Sequence, residues 1–503
     1  MVHGADITFN INYIAEAQPI PPASGSNFFY GDVWSENGYV YLGSDRGFPR
    51  SGHLSNGAAG VSIFSLSNSG IPTFLPPPTS PPSGYQPTTY FGNEMEDVEV
   101  YDGIGYFGSD YNPSDAVRRT GVDIVDLSIP FDPIMLSRVD ETDCLAANPS
   151  VCAHGKVHTV SIQRFNENTP LEQRFLYTSD NESSVIKISD VSDPANPQLI
   201  QSFGLPFVSS AVDSHEVMVR NNRLFVASKN PSKAGPNHGG TGEGWVHIYD
   251  VSTPSNPVLL KAWESGTSTH TAMPSYDGNT LIVAEEREHG NVFIYDISMI
   301  DQPNDPQNPI LRSTLNDSNV QHGGQNISAY SPHHPHVHGN LLFLTWYEAG
   351  LTVFNIADPA NPLFVGAFDT WPGTSTNFNG NWGVDLSHGL NRVLLSDRKR
   401  GLIVVDASGV LLPGDYNHDY MVDDDDYDAW RSTFGTTRIS VHDPPLADGN
   451  YNGIVDAADF VLWRKHVGQA GAGAGSSVPE PGAIMLFALG MMAIASRFRV
   501  RGA

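Results

Sequence analysis

The sequence is poor in basic side chains, and this shortage excludes whole classes of partner. Its 503 residues include 27 Lys and Arg against 55 Asp and Glu, which gives a formal net charge of −28. A chain of this charge is unsuited to nucleic acid and to anionic lipid surfaces. Motifs for common kinds of catalysis are missing as well: there is no nucleophile elbow, phosphate-cradling loop or HExxH helix.

Cysteine is nearly absent. Cys144 and Cys152 are the only two, and both lie in a loop-like stretch over 143–152. Outside the cytoplasm, a pair at this spacing predicts a small loop closed by a disulfide. Two free thiols are the alternative. A zinc site is less favoured, because Cys-x7-Cys is not a usual ligand spacing.

The chain also begins without the basic and apolar segment that exported proteins usually carry. The C-terminus, in contrast, has features of an exported protein. Val478-Pro479-Glu480-Pro481 is followed by an apolar run over 482–495 and by three arginines. That run is shorter than the roughly 20 residues of a spanning helix, and the arginines would hold its end at the cytoplasmic face. We therefore expect a start codon assigned too late or a truncated sequence.

This C-terminal layout resembles the PEP-CTERM sorting signal, which exosortase-type enzymes of Gram-negative bacteria recognise and cleave at the membrane. The resemblance implies an exported protein of the cell surface, outer envelope or extracellular matrix. Its association with the membrane would be transient, through a short C-terminal apolar helix.

One short segment recurs along the first 410 residues. It alternates apolar and polar side chains and is rich in Val and Ile, which is the pattern of a β-strand. Several copies run into an Asp-Pro-x-x-Pro turn, where proline ends one strand and prepares the next. The seven copies begin at Gly60, Gly121, Val185, Trp245, Asn291, Gly350 and Gly401.

Further strand patterns precede each copy, so each unit holds about four strands. Seven such units predict a seven-bladed β-propeller, with a stack of separate sandwiches as the alternative. The seventh unit lacks an outer strand after Asp406. Residues 7–13 alternate correctly and are expected to supply it, which would close the ring and remove the exposed edges.

Two twelve-residue loops in the second part of the chain place oxygen ligands at positions 1, 3, 5, 9 and 12, with a backbone carbonyl at position 7. Calcium prefers six to eight hard oxygens, and such a loop can wrap around one ion. The sequence therefore predicts two calcium ions. The ligands are Asp415, Asn417, Asp419, Met421, Asp423 and Asp426 in the first loop, and Asp448, Asn450, Asn452, Ile454, Asp456 and Asp459 in the second.

One helical pattern follows each loop, over 427–434 and 460–466. A tandem of this kind, with Asp at position 12, resembles a type I dockerin. The resemblance implies a cohesin-like partner, and dockerins often accompany polysaccharide-degrading enzymes. Two departures stand out. Tyr420 occupies a position where glycine is usual, and the partner-selecting positions 10 and 11 differ between the two loops.

The repeat core Val-x-Ile-x-Asp-Val-Ser-x-Pro-x-x-Pro resembles the LVIVD repeat, and residues 1–410 are similar to the choice-of-anchor B family. The resemblance implies a mainly β fold followed by a small α-helical calcium-loop domain and a short apolar helix. The expected order is a seven-bladed LVIVD-type propeller over 1–410, a dockerin-like domain over 413–468, a Gly/Ala/Ser linker over 469–477 and the sorting signal over 478–503.

A second constellation lies in the predicted channel. Because first strands line the centre of a propeller, residues at one equivalent position of these strands should meet at one axis. Four imidazoles and a carboxylate there would suit zinc, iron or copper. In the alternative, the imidazoles bond strand carbonyls and are purely structural. The aligned residues are Tyr30, Glu96, His158, His215, His270, His333 and Trp382.

These features together favour an exported, non-enzymatic interaction protein. Its propeller would bind a glycan, a surface protein or a matrix component, and its dockerin-like domain would bind calcium and a cohesin-like protein. The alternative is an extracytoplasmic enzyme, metal-dependent or active on polysaccharide, that uses the channel histidines.

Overall fold

A computed structural model describes most of the chain as a ring of β-sheets followed by two short helices. The described residues are 8–18, 29–45, 60–75, 95, 97–109, 121–139, 157–167, 169–180, 183–209, 212–230, 243–302, 308–319, 330–371, 378–437 and 447–470. Cys144, Cys152, Glu96 and the sorting motif lie outside them. The disulfide and the C-terminal apolar helix therefore stay predictions.

Seven antiparallel sheets follow one another along the chain. The first two strands are β1 (Thr8–Phe9) and β2 (Asn12–Ala17). Blade one is β3 (Phe29–Glu36), β4 (Tyr39–Asp45), β5 (Ser62–Leu66) and β6 (Pro72–Phe74). Blade two is β7 (Val98–Tyr101), β8 (Ile104–Ser109), β9 (Gly121–Asp126) and β10 (Ile134–Val139). Blade three is β11 (Val157–Phe165), β12 (Gln173–Asp180), β13 (Val185–Asp190) and β14 (Gln198–Gly204).

The next three blades repeat this order. Blade four is β15 (Asp213–Arg220), β16 (Arg223–Lys229), β17 (Gly244–Asp250) and β18 (Val258–Glu264). Blade five is β19 (Thr269–Pro274), β20 (Thr280–Glu285), β21 (Val292–Asp296) and β22 (Ile310–Leu315). Blade six is β23 (Pro335–His338), β24 (Leu341–Thr345), β25 (Leu351–Asn355) and β26 (Leu363–Phe368).

Blade seven contains β27 (Asn381–Asp385), β28 (Val393–Asp397) and β29 (Gly401–Asp406). The seven-bladed propeller is confirmed, and each recurrent segment forms the third strand of its blade. The structure also shows the helices α1 (Asp424–Thr433) and α2 (Ala457–His466), each following one acidic loop. Among the described residues, no helix is long and apolar enough to cross a membrane.

The N-terminal segment closes the ring, although not as one strand. Strand β2 pairs with β29 and completes blade seven, whereas β1 pairs with β26 and adds a fifth strand to blade six. The single strand expected over 7–13 is therefore wrong in its bounds. Asn10 lies between the two strands with a φ of 58°, and this left-handed backbone ends the first one.

Apolar clusters fill the spaces between neighbouring blades. The side chains of Phe225 and Val246 from blade four, for example, join those of Leu281 and Val283 from blade five. All four are at most 1% exposed. Because each blade buries both faces against its neighbours, the ring holds its innermost strands in place around the channel.

Candidate functional site

Three of the four channel histidines lie at β-bulges. In β15, the pairing with β16 shifts between Ser214 and Glu216, so His215 is an extra residue in its strand. The pairing of β19 with β20 shifts in the same way around His270. A bulge redirects the extra side chain and is common beside functional sites. Equivalent shifts occur around His158 and Trp382.

The aligned rings form a continuous series across four blades. Ring centroids lie 4.2 Å apart for His158 and His215, 4.1 Å for His215 and His270, and 4.4 Å for His270 and His333. The indole of Trp382 extends the series at 4.4 Å from His333. Five of the seven aligned residues therefore meet in the channel.

The alignment differs in blades one and two. Tyr30 is 1% exposed and belongs to the apolar cluster between blades seven and one, while Asp32, two residues later, lines the channel cavity. In blade two, Glu96 lies outside the described residues, and Asp97 lines the cavity. Tyr30 pairs with Ser44 as Ser214 pairs with Ser228, so Gly31 corresponds to His215 and the expected alignment is one residue out in blade one.

Two groups of side chains have the spacing of a metal site. The ligand atoms of His158, His215 and His270 all lie within 4.8 Å of one another. The same holds for His270, Glu286 and His333. Since His270 belongs to both groups, the two sites overlap.

Hydrogen bonds fix which nitrogen of two rings carries the lone pair. Nδ1 of His333 lies 2.7 Å from the carbonyl of Trp382, which can only accept, so this nitrogen is protonated. Nδ1 of His270 lies 2.8 Å from the hydroxyl of Thr271, which itself donates to Glu216 at 2.6 Å. Nε2 is therefore the ligand atom in both rings. Partners of this kind orient metal-binding histidines.

Burial keeps these imidazoles neutral, as metal ligation requires. It lowers the pKa of His333 to about 3. Burial, with Lys229 nearby, also holds the pKa of His215 well below its usual value. Nδ1 of His215 is buried and has no hydrogen-bond partner within the described part of the chain. The ring of His215 lies 4.2 Å from that of His158 and 4.1 Å from that of His270, so this nitrogen is a candidate ligand atom for an ion among the three rings.

A charged group that the sequence did not single out lies beside the imidazoles. Lys229 and Glu286 form an ion pair with a distance of 2.8 Å, and Glu286 accepts a hydrogen bond from Tyr347 at 2.6 Å. Burial alone would raise the pKa of Glu286, but the charge and the hydrogen bond of Lys229 outweigh it and hold that pKa well below its usual value. Lys229 ends the second strand of blade four, and Glu286 directly follows the second strand of blade five. The two residues therefore share a repeat position, which could have identified both.

A cavity of about 640 Å³ opens from this cluster, and the imidazoles of His158, His270 and His333 line it. Several of its carboxylates serve to join blades. Glu36 accepts backbone N–H groups of Asp102 and Gly103, at 2.6 and 2.8 Å. Glu99 likewise accepts the N–H of Ile162 at 2.9 Å. These acids have a structural partner and need no catalytic explanation.

The two acidic loops fold alike. The carboxylate of Asp415 accepts the backbone N–H of Tyr420 at 2.8 Å, and that of Asp448 accepts the N–H of Gly453 at 2.7 Å. At position 12, Asp426 and Asp459 are fully buried and accept backbone N–H groups from their own loops. The side-chain oxygens at positions 1 and 12 thus face the inside of each loop.

The loops lead directly into their helices. Asp423 and Asp456, at position 9, cap α1 and α2. Burial raises the pKa of Asp415 to about 7, with Asp426 and Asp419 adding to it, because these carboxylates lie together. Such a group of acids is more stable with a cation among them. The remaining predicted ligands occupy the same loops, and Met421 and Ile454 are exposed.

Three segments match known sequence families. Residues 167–325 match the choice-of-anchor I domain, residues 336–370 match the LVIVD repeat, and residues 477–500 match the PEP-CTERM protein-sorting motif. The matching choice-of-anchor type is thus I, whereas the resemblance drawn from the repeats was to type B. No functionally curated protein matches the chain.

Several solved structures are similar to this chain at low sequence identity. U3-55K is 8% identical over 79% of this chain and 98% of its own, with a TM-score of 0.48. The periplasmic gluconolactonase of Pseudomonas aeruginosa is 12% identical over 69% and 87%, with a TM-score of 0.46. The propeller domain of Cps50 (Swd1) from Myceliophteria thermophila is 10% identical over 75% and 96%, with a TM-score of 0.45. The sorting motif and the choice-of-anchor match indicate an exported cell-surface protein with a propeller scaffold, processed by an exosortase.

Proposed function

We propose that this surface protein binds one transition-metal ion in its propeller channel, through His158, His215 and His270. The observation that carries the proposal is the mutual distance of their ligand atoms, all within 4.8 Å. Neutral imidazoles at this spacing suit zinc, copper or iron. The channel would thus bind a metal in addition to serving as a scaffold.

The first group of ligands is favoured over the second because Glu286, a member of the second, is already engaged. Glu286 already neutralises Lys229 and accepts from Tyr347. His215, in contrast, keeps a buried Nδ1 without a partner among the described residues. Lys229 opposes a nearby cation, and its ion pair with Glu286 reduces that repulsion.

A small-molecule ligand would reach the ion from the cavity. A volume of about 640 Å³ lies in the range of small-molecule sites. The aromatic rings of Trp34, Tyr101 and Trp382 line it together with polar groups. A glycan or another polar surface component is the ligand class that this lining favours, and metal-dependent chemistry on such a ligand is the enzymatic form of the same proposal.

Elemental analysis of the purified full chain tests the metal. We expect close to one equivalent of zinc, copper or iron in the wild-type protein and its loss in the His215→Ala/His270→Ala variant. His247→Gln is the matched control, since His247 is also buried in blade four but bonds the carbonyl of Pro206. Calcium as the sole metal in the wild-type protein would reject the channel site and leave a structural role for the imidazoles.

The second proposed activity is calcium binding by the tandem loops, one ion in each. It is supported by the matching bonds of Asp415 and Asp448 and by the buried acids at position 12. The partner-selecting positions of the dockerin resemblance, Asp424-Asp425 and Ala457-Ala458, are exposed. A cohesin-like protein is the corresponding partner, in the envelope of a Gram-negative-type bacterium. A pull-down with calcium and with chelator tests it.

A further inference from the structure

The first acidic loop lies against the propeller. Asn340 of blade six donates a side-chain hydrogen bond to the carbonyl of Asn417 at 2.7 Å. Asn355, which ends the third strand of the same blade, donates to the carbonyl of His418 at 3.1 Å. Both accepting carbonyls lie outside the predicted calcium ligands. The loop can therefore hold an ion and contact the blade at once.

The residue at position four of each loop also contacts the propeller. His418 and Tyr451 occupy this position, and both have left-handed backbones, with φ of 59° and 58°. The ring of His418 lies 5.6 Å from that of His338 in blade six. Tyr451 packs over Gly389 of blade seven, where an added Cβ would come within 2.9 Å of its ring. The two loops thus contact adjacent blades through the same position.

Tyr420 makes a third contact, and it stands where calcium loops usually have glycine. Its φ is 69°, and its side chain is 9% exposed. Its hydroxyl donates to the carbonyl of Val410 at 2.7 Å. The ring belongs to an apolar cluster shared with Ile11 and Val405. A bulky residue with a left-handed backbone is strained here, and its contacts with the propeller compensate for that strain.

That cluster lies where the ring closes. Ile11 separates β1 from β2, the strands that complete blades six and seven. We propose that the tandem loop–helix module is a calcium-dependent brace for ring closure, docked on blades six and seven through His418, Tyr451 and Tyr420. The inference rests on the proposed calcium binding. An ion fixes the loop backbone, so it also fixes the residues that contact the propeller, and the two equilibria are linked.

Hydrogen exchange on the full chain, followed by mass spectrometry, tests the brace. With calcium, we expect exchange in β1, β2, β26 and β29 to be about tenfold slower than with chelator. Tyr420→Gly restores the usual loop residue, so it should bind two calcium ions and lose this dependence. Val461→Ala, on a 63% exposed side chain of α2, should behave as the wild type.

A second variant tests the same contact from the propeller side, in case Tyr420→Gly does not fold. Asn340→Ala/Asn355→Asp removes both donors on the propeller side, keeps the oxygen that accepts the backbone N–H of Ala357, and should also reduce the effect of calcium on exchange. Equal exchange with calcium and with chelator, in a wild-type chain that calorimetry shows to bind two calcium ions, would overturn the brace alone. A wild-type chain that binds no calcium would overturn the calcium proposal together with the brace.

Discussion

The ammonium group of Lys229 lies 2.8 Å from the carboxylate of Glu286, at the edge of the imidazole cluster. Lys229→Met would leave that carboxylate without its cation. Removing one partner of a buried ion pair is costly, because the other stays desolvated. With the Glu286 side chain 19% exposed, we expect the unfolding free energy to fall by about 2–3 kcal/mol.

Denaturant unfolding at pH 7 measures this loss. The double variant Lys229→Met/Glu286→Gln is the control, since it also removes the unpaired charge. The double variant should be more stable than Lys229→Met alone. A single variant within about 0.5 kcal/mol of the wild type would mean that solvent or another group already satisfies Glu286.

The hydrogen bond between His270 and Thr271 should tune metal binding in the channel. Thr271→Val keeps the shape of the side chain and removes the oxygen that lies 2.8 Å from Nδ1 of His270. Loss of such an outer partner typically lowers metal affinity about 10- to 100-fold. A zinc competition titration measures it, with Thr267→Val as the control because Thr267 bonds Glu285 instead. Unchanged affinity would show that Thr271 does not orient the ligand.

His247 provides a clean test of pH dependence away from the channel. It is fully buried, and burial lowers its pKa to about 4, although its bond to the carbonyl of Pro206 acts in the opposite direction. The unfolded chain therefore binds a proton near pH 6.5 that the folded protein excludes until about pH 4. The neutral, buried His247 therefore costs no stability above pH 6.5. As the pH falls from 6.5 towards 4, proton binding favours the unfolded chain, and the folded protein loses stability.

His247→Gln should flatten that dependence. Between pH 6 and pH 4, the difference in slope from the wild type should approach about 1.4 kcal/mol per pH unit. Urea unfolding of both proteins at matched pH values measures it, and the comparison cancels the contributions of the other buried acids and histidines. Parallel slopes would mean that His247 is protonated in the folded protein.

The acidic loops should each lose one ion when position 12 is changed. We expect calorimetry to count two calcium ions for the wild type, one for Asp426→Ala, one for Asp459→Ala and none for the double variant. At a free calcium concentration 100 times the dissociation constant, each ion would add about 2.7 kcal/mol to stability. Asp428→Ala is a control, because this exposed acid follows the loop. Equal counts in all variants would reject the ligand assignment.

The sequence predicted the propeller well because its signal is local. Alternating strands such as 185–190 recur with Asp-Pro turns, and each recurrence marks a third strand. The channel histidines could also be predicted from the sequence, because equivalent positions in a repeat fall at equivalent places in a ring. The error at Tyr30 has a physical cause. The bulge in β3 comes after Tyr30, so Gly31 takes the position of His215, and Asp32, which lines the channel, takes that of Glu216.

Contacts between distant segments were not predictable in this way. Nothing in the local pattern of 415–426 shows that its loop lies on blade six, or that Tyr420 joins the cluster of Ile11. The sequence shows that Tyr420 replaces the usual glycine, but it does not show which residues the tyrosine ring contacts. Lys229 and Glu286 occupy the same repeat position, but nothing in the sequence shows that side chains from neighbouring blades pair there.

The pairing of β2 with β29 also constrains how the protein can fold. Asn12 is opposite Asp406, so β2 must remain without its neighbour until blade seven has been synthesised. Contacts this far apart along a chain slow folding, because a long loop must close before they contribute. The open ring therefore exposes strand edges that invite self-association. We therefore expect this protein to be most prone to aggregation after blade six has formed and before β2 pairs with β29.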